Sequence, residues 1–232
     1  MRSIIIGFLS FFYQANLNHE NMQGTGFAYL IRRAARLKGI ELEVKKVNEQ
    51  TSYFHTHPYL VNFIVGMWVR EFEQNGEEDF HKKIYSSAFG ALGDSFFWHS
   101  LRPLCFATAA IAGLFDPFAG ILTYLLLYNI FHLSFRFAGF NIGYKLGRDV
   151  IMFFNRIRFN NWSTYFDIAS SLIFGILLSY MAKTCADFNS VLLGTLTVYV
   201  MLGMALAKKL DIVLGLTIII ITTGLFLFMT GV

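Results

Sequence analysis

Charge is what this sequence has least of. Asp, Glu, Lys and Arg make up 15% of its 232 residues, against 55% hydrophobic and 17% aromatic. A soluble domain is about 25% charged, so a chain this poor in charge cannot supply a water-facing surface. Cysteine is also scarce. Cys105 and Cys185 lie in or beside apolar stretches, and they make no CxxC pair, zinc set or disulfide framework. No Ser–His–Asp order, P-loop or GxGxxG run stands out, and no residue looks like an activated nucleophile. Low-complexity tracts and long internal repeats are not visible. Residues 4–12 are apolar, but no small-residue cleavage site separates them from the polar run that follows, so no cleavable signal peptide is expected.

What the chain has instead is phenylalanine, 26 residues of it, and apolar runs. Residues 165–182, 191–207 and 212–229 are 18, 17 and 18 residues long, with polar spacers at 183–189 and 208–211. As helices they span roughly 26 Å at about 1.5 Å per residue, close to the hydrocarbon core of about 30 Å. They predict three transmembrane helices. Residues 103–115 and 118–133 are apolar too, but Asp116-Pro117 divides them. Proline lacks a backbone donor and turns the residue before it away from helical angles. This is a kinked helix, a tight hairpin or two half-helices meeting in the bilayer. Residues 58–69, with Trp68, are apolar but too short to cross, which suits a re-entrant or interfacial segment.

The first third differs. Phe27, Leu30, Ile31 and Ala34 recur at helical spacing with Arg32, Arg33 and Arg36 around them, a basic amphipathic helix that Gly39 ends. Such a helix suits an anionic membrane face. The net charge of +4 is no nucleic-acid footprint, because the basic residues cluster between apolar segments. Placing residues 32–46, 145–158 and the Lys208-Lys209 pair all in the cytoplasm satisfies the positive-inside rule. The helix from 165 then runs outward, the next returns, and the last leaves Val232 outside. An even number of crossings is required between 46 and 145. The fold expected is all-α: a polytopic integral membrane protein with broken or re-entrant helices and an N-terminal amphipathic helix. We read one domain over 1–232. Residues 1–50 form its cytoplasmic or interfacial part, 51–150 its broken and re-entrant segments, and 165–230 its three transmembrane helices.

Several polar clusters sit among these runs. Residues 14–23 carry amides and a carboxylate, notably Asn18, Glu20 and Gln23. Those groups hydrogen-bond sugar hydroxyls, and they also make linkers and helix caps. Around Gly93 and Trp98, Asp94 and Arg102 flank an aromatic run that ends at Pro103. They read either as an ion pair marking a pathway or gate or as an interfacial anchor. Asn129, His132 and Arg136 share one helix face, either as a functional polar face or as a helix end reaching the headgroups. His55 and His57 invite a metal reading, but two histidines two apart do not share a helix face, and no third ligand is suitably spaced. No metal, no cofactor and no catalytic residue is expected.

In order along the chain, these clusters resemble the IID membrane component of the mannose/fructose/sorbose phosphotransferase system. Asn18-His19-Glu20-Asn21-Met22-Gln23-Gly24-Thr25-Gly26-Phe27 is similar to an N-aromatic-E-R-M-Q-x-x-G-F run. Phe54-His55-Thr56-His57-Pro58-Tyr59 is similar to F-N-T-x-P-F. Gly93-Asp94-Ser95-Phe96-Phe97-Trp98, continuing to Arg102-Pro103, resembles a G-D-P-x-F-W signature. Asn129, Arg136, Gly139, Gly143, Tyr144, Gly147 and Asp149 follow an N-x-x-R…R-x-x-G…G-Y-x-x-G-x-D pattern. Ser95 stands where the family has proline, Asn21 where arginine is frequent, and the link over 183–190 is short.

The resemblance implies a non-catalytic subunit that forms a sugar permease in the bacterial cytoplasmic membrane with a second membrane protein, IIC. Cytoplasmic IIA and IIB proteins then phosphorylate the incoming hexose-type sugar. Asn18, Glu20, Gln23, Asp94, Arg102, Asn129 and Arg136 are expected to line the pathway or contact the partner subunit. Gly26, Pro58, Gly93, Trp98, Pro103, Gly143 and Gly147 are expected to shape the motifs. A regulatory or sensory protein that keeps the scaffold without full transport is the other reading. A membrane enzyme using His55, His57, His81, His99 and His132 is a third.

Overall fold

The structure, a computed structural model, describes residues 2–76 and 81–184. The chain divides into two compact units, Met1–Leu177 and Leu178–Val232, and nearly all of the described residues belong to the first. The expected helices over 191–207 and 212–229, the Lys208-Lys209 pair and Cys185 lie outside the described residues.

Helices are the regular secondary structure of the described chain, beside two isolated bridges. Its centre is a helix whose sequence suggested an interfacial or re-entrant segment. We label Arg2–Leu9 α1, Gly24–Leu37 α2, Val44–Glu49 α3 and Val61–Asn75 α4. Residues 61–69 of α4 are all buried. A helix apolar on every side belongs inside a protein or in lipid, and here protein encloses it. One wall is α2, whose Phe27, Leu30, Ile31 and Ala34 are fully buried while Arg32, Arg33 and Arg36 face outward. The amphipathic helix is as expected, but its apolar stripe is spent on the protein core rather than left for lipid.

The opposite wall is α7, Pro117–Leu146. It approaches α4 backbone to backbone. A Cβ on Gly143 would overlap the carbonyl oxygen of Phe63, and one on Gly66 that of Phe140. α1 lies on α7 as well, with the ring of Phe8 edge-on to that of Phe137 at 5.0 Å.

Residues 82–115 form one continuous helical run of three parts. These are α5 (Lys82–Gly93), a π-helical stretch (Asp94–Leu101) and α6 (Arg102–Phe115). The wider π turn feeds Phe96 and Phe97 into an aromatic cluster with Phe135 and Phe159. At Asp116 the backbone becomes extended, and its carboxylate accepts from the Phe118 and Ala119 amides to cap α7. α6 then packs back along α7, with Gly113 and Gly120 in contact. Of the three sequence readings of the Asp116-Pro117 break, the tight helical hairpin is the one observed.

A 3-10 turn at Gly147–Asp149 leads into α8 (Val150–Arg156) and α9 (Phe159–Thr184). Among the described residues one helical stretch, Pro117–Leu177, is long and apolar enough to cross a membrane. Its surface residues Phe118, Ile121, Leu125, Leu126 and Ile130 are exposed.

Candidate functional site

The polar segment before α2 is tied into a tight knot. The Asn18 side-chain oxygen accepts from the Glu20 and Asn21 amides, and its Nδ2 donates to Asn21 Oδ1 at 2.9 Å. Met22 takes a left-handed φ of 54°, unusual for a residue with a side chain. Bridges from Met22 to Asn18 and Phe54 hold it there. The consequence is the placement of Gln23. It is buried, and its Oε1 accepts from the Tyr13 hydroxyl at 2.6 Å and the Thr56 amide at 2.8 Å. The Gln23 Nε2 makes no hydrogen bond among the described residues, so two donors are left over. Asn18 thus shapes the turn, and Glu20 stays on its exposed rim.

Across from Gln23, the loop after Phe54 meets the α5–π junction. Gly93 permits the contact, because a Cβ there would overlap Cβ and Cγ of His57. The His57 ring stacks on Phe97 at 5.0 Å and has Trp98 at 5.0 Å and Tyr59 at 4.8 Å. Its Nδ1 accepts from the Tyr59 amide at 3.4 Å, and its Nε2 is buried with no partner. Burial, with Arg136 and His132 nearby, pushes the His57 pKa down to about 3, so the ring is neutral and Nε2 carries the proton.

Between these walls lies a cavity of about 580 Å³, lined among others by Gln14, Gln23, Thr56, His57, Asp94 and Trp98. Asp94 makes no hydrogen bond or ion pair among the described residues. Partial desolvation raises its pKa, opposed by His55. Trp98 is half exposed.

Of the two readings of Asp94 and Arg102, the ion pair is not the one observed. Asp94 and Arg102 form none with each other: Asp94 lines the cavity with His55, while the Arg102 side chain is exposed. Asn129, His132 and Arg136 do share a face of α7, with Asn129 Oδ1 3.1 Å from His132 Nδ1. That face stands behind the cavity instead of lining it. Tyr59 joins the two, with its ring 4.3 Å from that of His132 and 5.3 Å from the Arg136 guanidinium. Arg136 is buried. It donates to the Ser10 carbonyl and to Ser10 Oγ at 3.1 Å, and its guanidinium lies over Phe11 at 4.5 Å. No carboxylate pairs with it among the described residues. Asn62 Nδ2 completes the junction, donating to Ser10 Oγ at 3.0 Å and to the Arg136 carbonyl at 2.7 Å. Arg136 therefore pins the turn that follows α1, at Ser10–Phe12, to α4 and α7.

The chain matches a known family over almost its whole length: the model of the PTS system mannose/fructose/sorbose family IID component matches residues 2–230. The chain belongs to this IID family. Among its relatives, the mannose-specific EIID component of Escherichia coli K12 is 28% identical over 150 residues, 60% of this chain and 53% of that protein. The fructose permease IID component of Bacillus subtilis 168 is 27% identical over 180 residues, 72% of this chain and 65% of that one. The sorbose-specific EIID component of Klebsiella pneumoniae is 24% identical over 148 residues, 60% and 54% respectively. The chain spans about half the length of the Escherichia coli and Klebsiella relatives it matches.

The fold is shared with membrane proteins. A solved membrane-protein structure superposes with a TM-score of 0.69 at 20% identity, covering 100% of this chain and 97% of that one. The cryo-EM structure of the mannose transporter ManYZ with microcin E492 gives 0.55 at 20% identity, covering 99% and 96%.

Sequence reasoning singled out Gln23, Asp94 and Trp98, which the fold brings to one cavity. It missed Tyr13, Thr56, Tyr59 and Asn62 as working parts. The signal for Thr56 and Tyr59 was their place inside the Phe54–Tyr59 motif. Nothing local marked Tyr13 or Asn62, whose partners lie 10 and 52 residues away or further.

Proposed function

We propose that this chain is the IID subunit of a sugar phosphotransferase permease. It would act with a IIC membrane subunit to translocate a hexose-type sugar that IIA and IIB phosphocarriers phosphorylate. The observation that carries the reading is the family match over residues 2–230. The geometry supports it in two ways. Three of the four family motifs supply residues to one polar cavity, and beside it α6 and α7 leave long apolar surfaces for lipid or a partner helix. In this reading 1–232 act as one polytopic domain in the bacterial cytoplasmic membrane. Gln23 and Asp94 belong to the substrate pathway, and Arg136 and Asn129 position it from behind. Asn18, Glu20 and Arg102 are left for subunit contact.

The test is uptake of labelled hexoses and hexosamines by vesicles carrying this chain and its IIC partner, with and without the phosphocarriers. Phosphorylated sugar whose accumulation needs both chains is the expected result. Two chains that purify together yet take up nothing would move the function toward regulation.

A further inference from the structure

Between α7 and the α8–α9 junction lies a groove of the opposite character to the polar cavity. Its volume is about 300 Å³. Ala138 and Ile142 of α7 form one wall, Ile157 and Trp162 another, and buried Phe63 lies beneath them. The polar side chains in the lining are already satisfied. Ser134 Oγ donates to the Ile130 carbonyl of its own helix at 2.5 Å, and Trp162 Nε1 donates to the Ile157 carbonyl at 3.1 Å. Neither has a hydrogen left for a ligand, and a polar group placed here would lose its water without replacement. The chemistry the groove accepts is hydrocarbon.

Its border is cationic. Arg156 and Arg158 flank Ile157, and Lys145 follows Ile142 by three residues on the same helix, which puts the two on one face. All three are exposed, and none makes an ion pair among the described residues. Arg148 of the same basic stretch is already paired with Glu71, and Asp149 is the only acidic residue over 145–158. Arg158 also has a left-handed φ of 50°. Glycine or asparagine is at ease there and arginine is not, so the turn keeps a charge at a cost in backbone strain. Resting on the reading of this chain as a permease subunit in the cytoplasmic membrane, we propose that the groove holds one anionic phospholipid. An acyl chain lies against Ala138, Ile142 and Trp162, and the phosphodiester meets the guanidinium groups of Arg156 and Arg158, with Lys145 at the rim. Guanidinium suits a phosphate because two N–H groups can donate to it in parallel. The positive-inside placement of 145–158 sets these cations among the headgroups of the cytoplasmic leaflet, the leaflet whose surface is negative. A zwitterionic lipid brings its own ammonium to the same cations and is disfavoured, and a free phosphate lacks the chain that fills the groove.

The test uses the full chain purified with its IIC partner, delipidated and titrated with phosphatidylglycerol or phosphatidylcholine of the same acyl chains. Native mass spectrometry counts the lipids retained, and glycerol 1-phosphate serves as the headgroup without a chain. One phosphatidylglycerol per chain is expected, held about tenfold more tightly than phosphatidylcholine. A Lys or Arg near an anionic headgroup is worth about fivefold in binding, so Arg156→Gln and Arg158→Gln should each weaken phosphatidylglycerol by that factor and leave phosphatidylcholine as it was. Arg158→Gly relieves the backbone and removes the charge. It should raise the melting temperature and still lose the lipid preference, which a merely structural turn would not do. Ala138 is exposed, so Ala138→Phe fills the groove from outside and should abolish retention of both lipids, with the IIC partner co-purifying in unchanged amount.

Equal retention of the two lipids overturns the proposal, as does retention unchanged within twofold in the arginine variants and in Ala138→Phe. Loss of the IIC partner from Ala138→Phe with lipid binding unaltered overturns it as well, and would mean that a helix of the partner fills the groove. Displacement of phosphatidylglycerol by an equal concentration of glycerol 1-phosphate would reduce the site to a phosphate clasp and sink the role of the groove. Hexose uptake by the same complex judges the permease reading separately. Uptake without lipid selectivity upholds that reading and overturns this one, and selective retention without uptake does the reverse.

Discussion

At the scale of residues, the cavity depends on side chains that other side chains hold. His57 shows how. It is neutral because burial holds its pKa at about 3, against an ordinary value of 6.5. Between those values the unfolded chain binds the extra proton and the folded one does not, so stability rises with pH across the window and is lost on acidification. The slope from this one group approaches about 1.4 kcal/mol per pH unit. We expect the detergent-solubilised protein to melt at progressively lower temperature as pH falls from 6.5 toward 4. His57→Gln keeps a donor near Nε2 and cannot titrate, so it should flatten that dependence. Equal slopes for variant and parent would show that protonation of His57 does not govern the acid response. The histidine was visible in the sequence only as half of a pair that suggested metal. Its neutrality and its free Nε2 follow from the stack on Phe97 and the closeness of Gly93, contacts that spacing along the chain does not encode.

At the scale of elements, periodicity identified helices well and their surroundings poorly. The 3.6-residue repeat in α2 gave its apolar face, but a repeat does not say whether that face meets lipid or another helix. The answer lay in α4, whose run over 58–69 is too short to span and too apolar to be exposed. Its close fit to α7 yields a prediction. Gly143→Ala places a methyl against the Phe63 carbonyl, where only backbone can move aside. Overpacking of this kind costs about 1–3 kcal/mol, to be read as a lowered melting temperature and reduced yield of assembled protein. An unchanged melt would mean that α4 and α7 are not in register as described. The α6–α7 hairpin was legible as a break because Asp116-Pro117 carries its own turn chemistry. Asp116→Ala removes the cap at the start of α7 and should cost about 0.5–2 kcal/mol, with Asp116→Asn recovering most of it. If the alanine variant melts like the parent, the carboxylate does not hold the hairpin. The π stretch over Asp94–Leu101 had no sequence signature. Along it Phe96 and Phe97 are buried while Trp98 lines the cavity.

At the scale of the whole molecule, two basic segments far apart in sequence come together at one end of the first unit. Lys38, just past α2, has its ammonium 3.4 Å from the centre of the Tyr144 ring. Arg70 of α4 donates to the Lys145 carbonyl, and Arg148 pairs with Glu71 at 2.6 Å. The positive-inside argument puts residues 32–46 and 145–158 on one side of the membrane, an arrangement that the Lys38–Tyr144 contact permits. Arg32, Arg33 and Arg36 all face outward from the same end, with the apolar side of their helix already occupied. A positive surface held on a rigid helix attracts anionic partners over roughly a Debye length, about 8 Å at physiological salt, and acts mainly on association rate and salt sensitivity. We therefore expect a phosphorylated IIB carrier to bind membranes containing the IIC–IID pair less tightly as salt rises. Neutralising the three arginines to glutamine should lower that affinity severalfold at low salt and flatten its salt dependence. The variant keeps the buried side of α2 intact, so loss of the fold would not explain the change. If affinity and salt dependence stay as in the parent, these three arginines are not where a phosphocarrier docks.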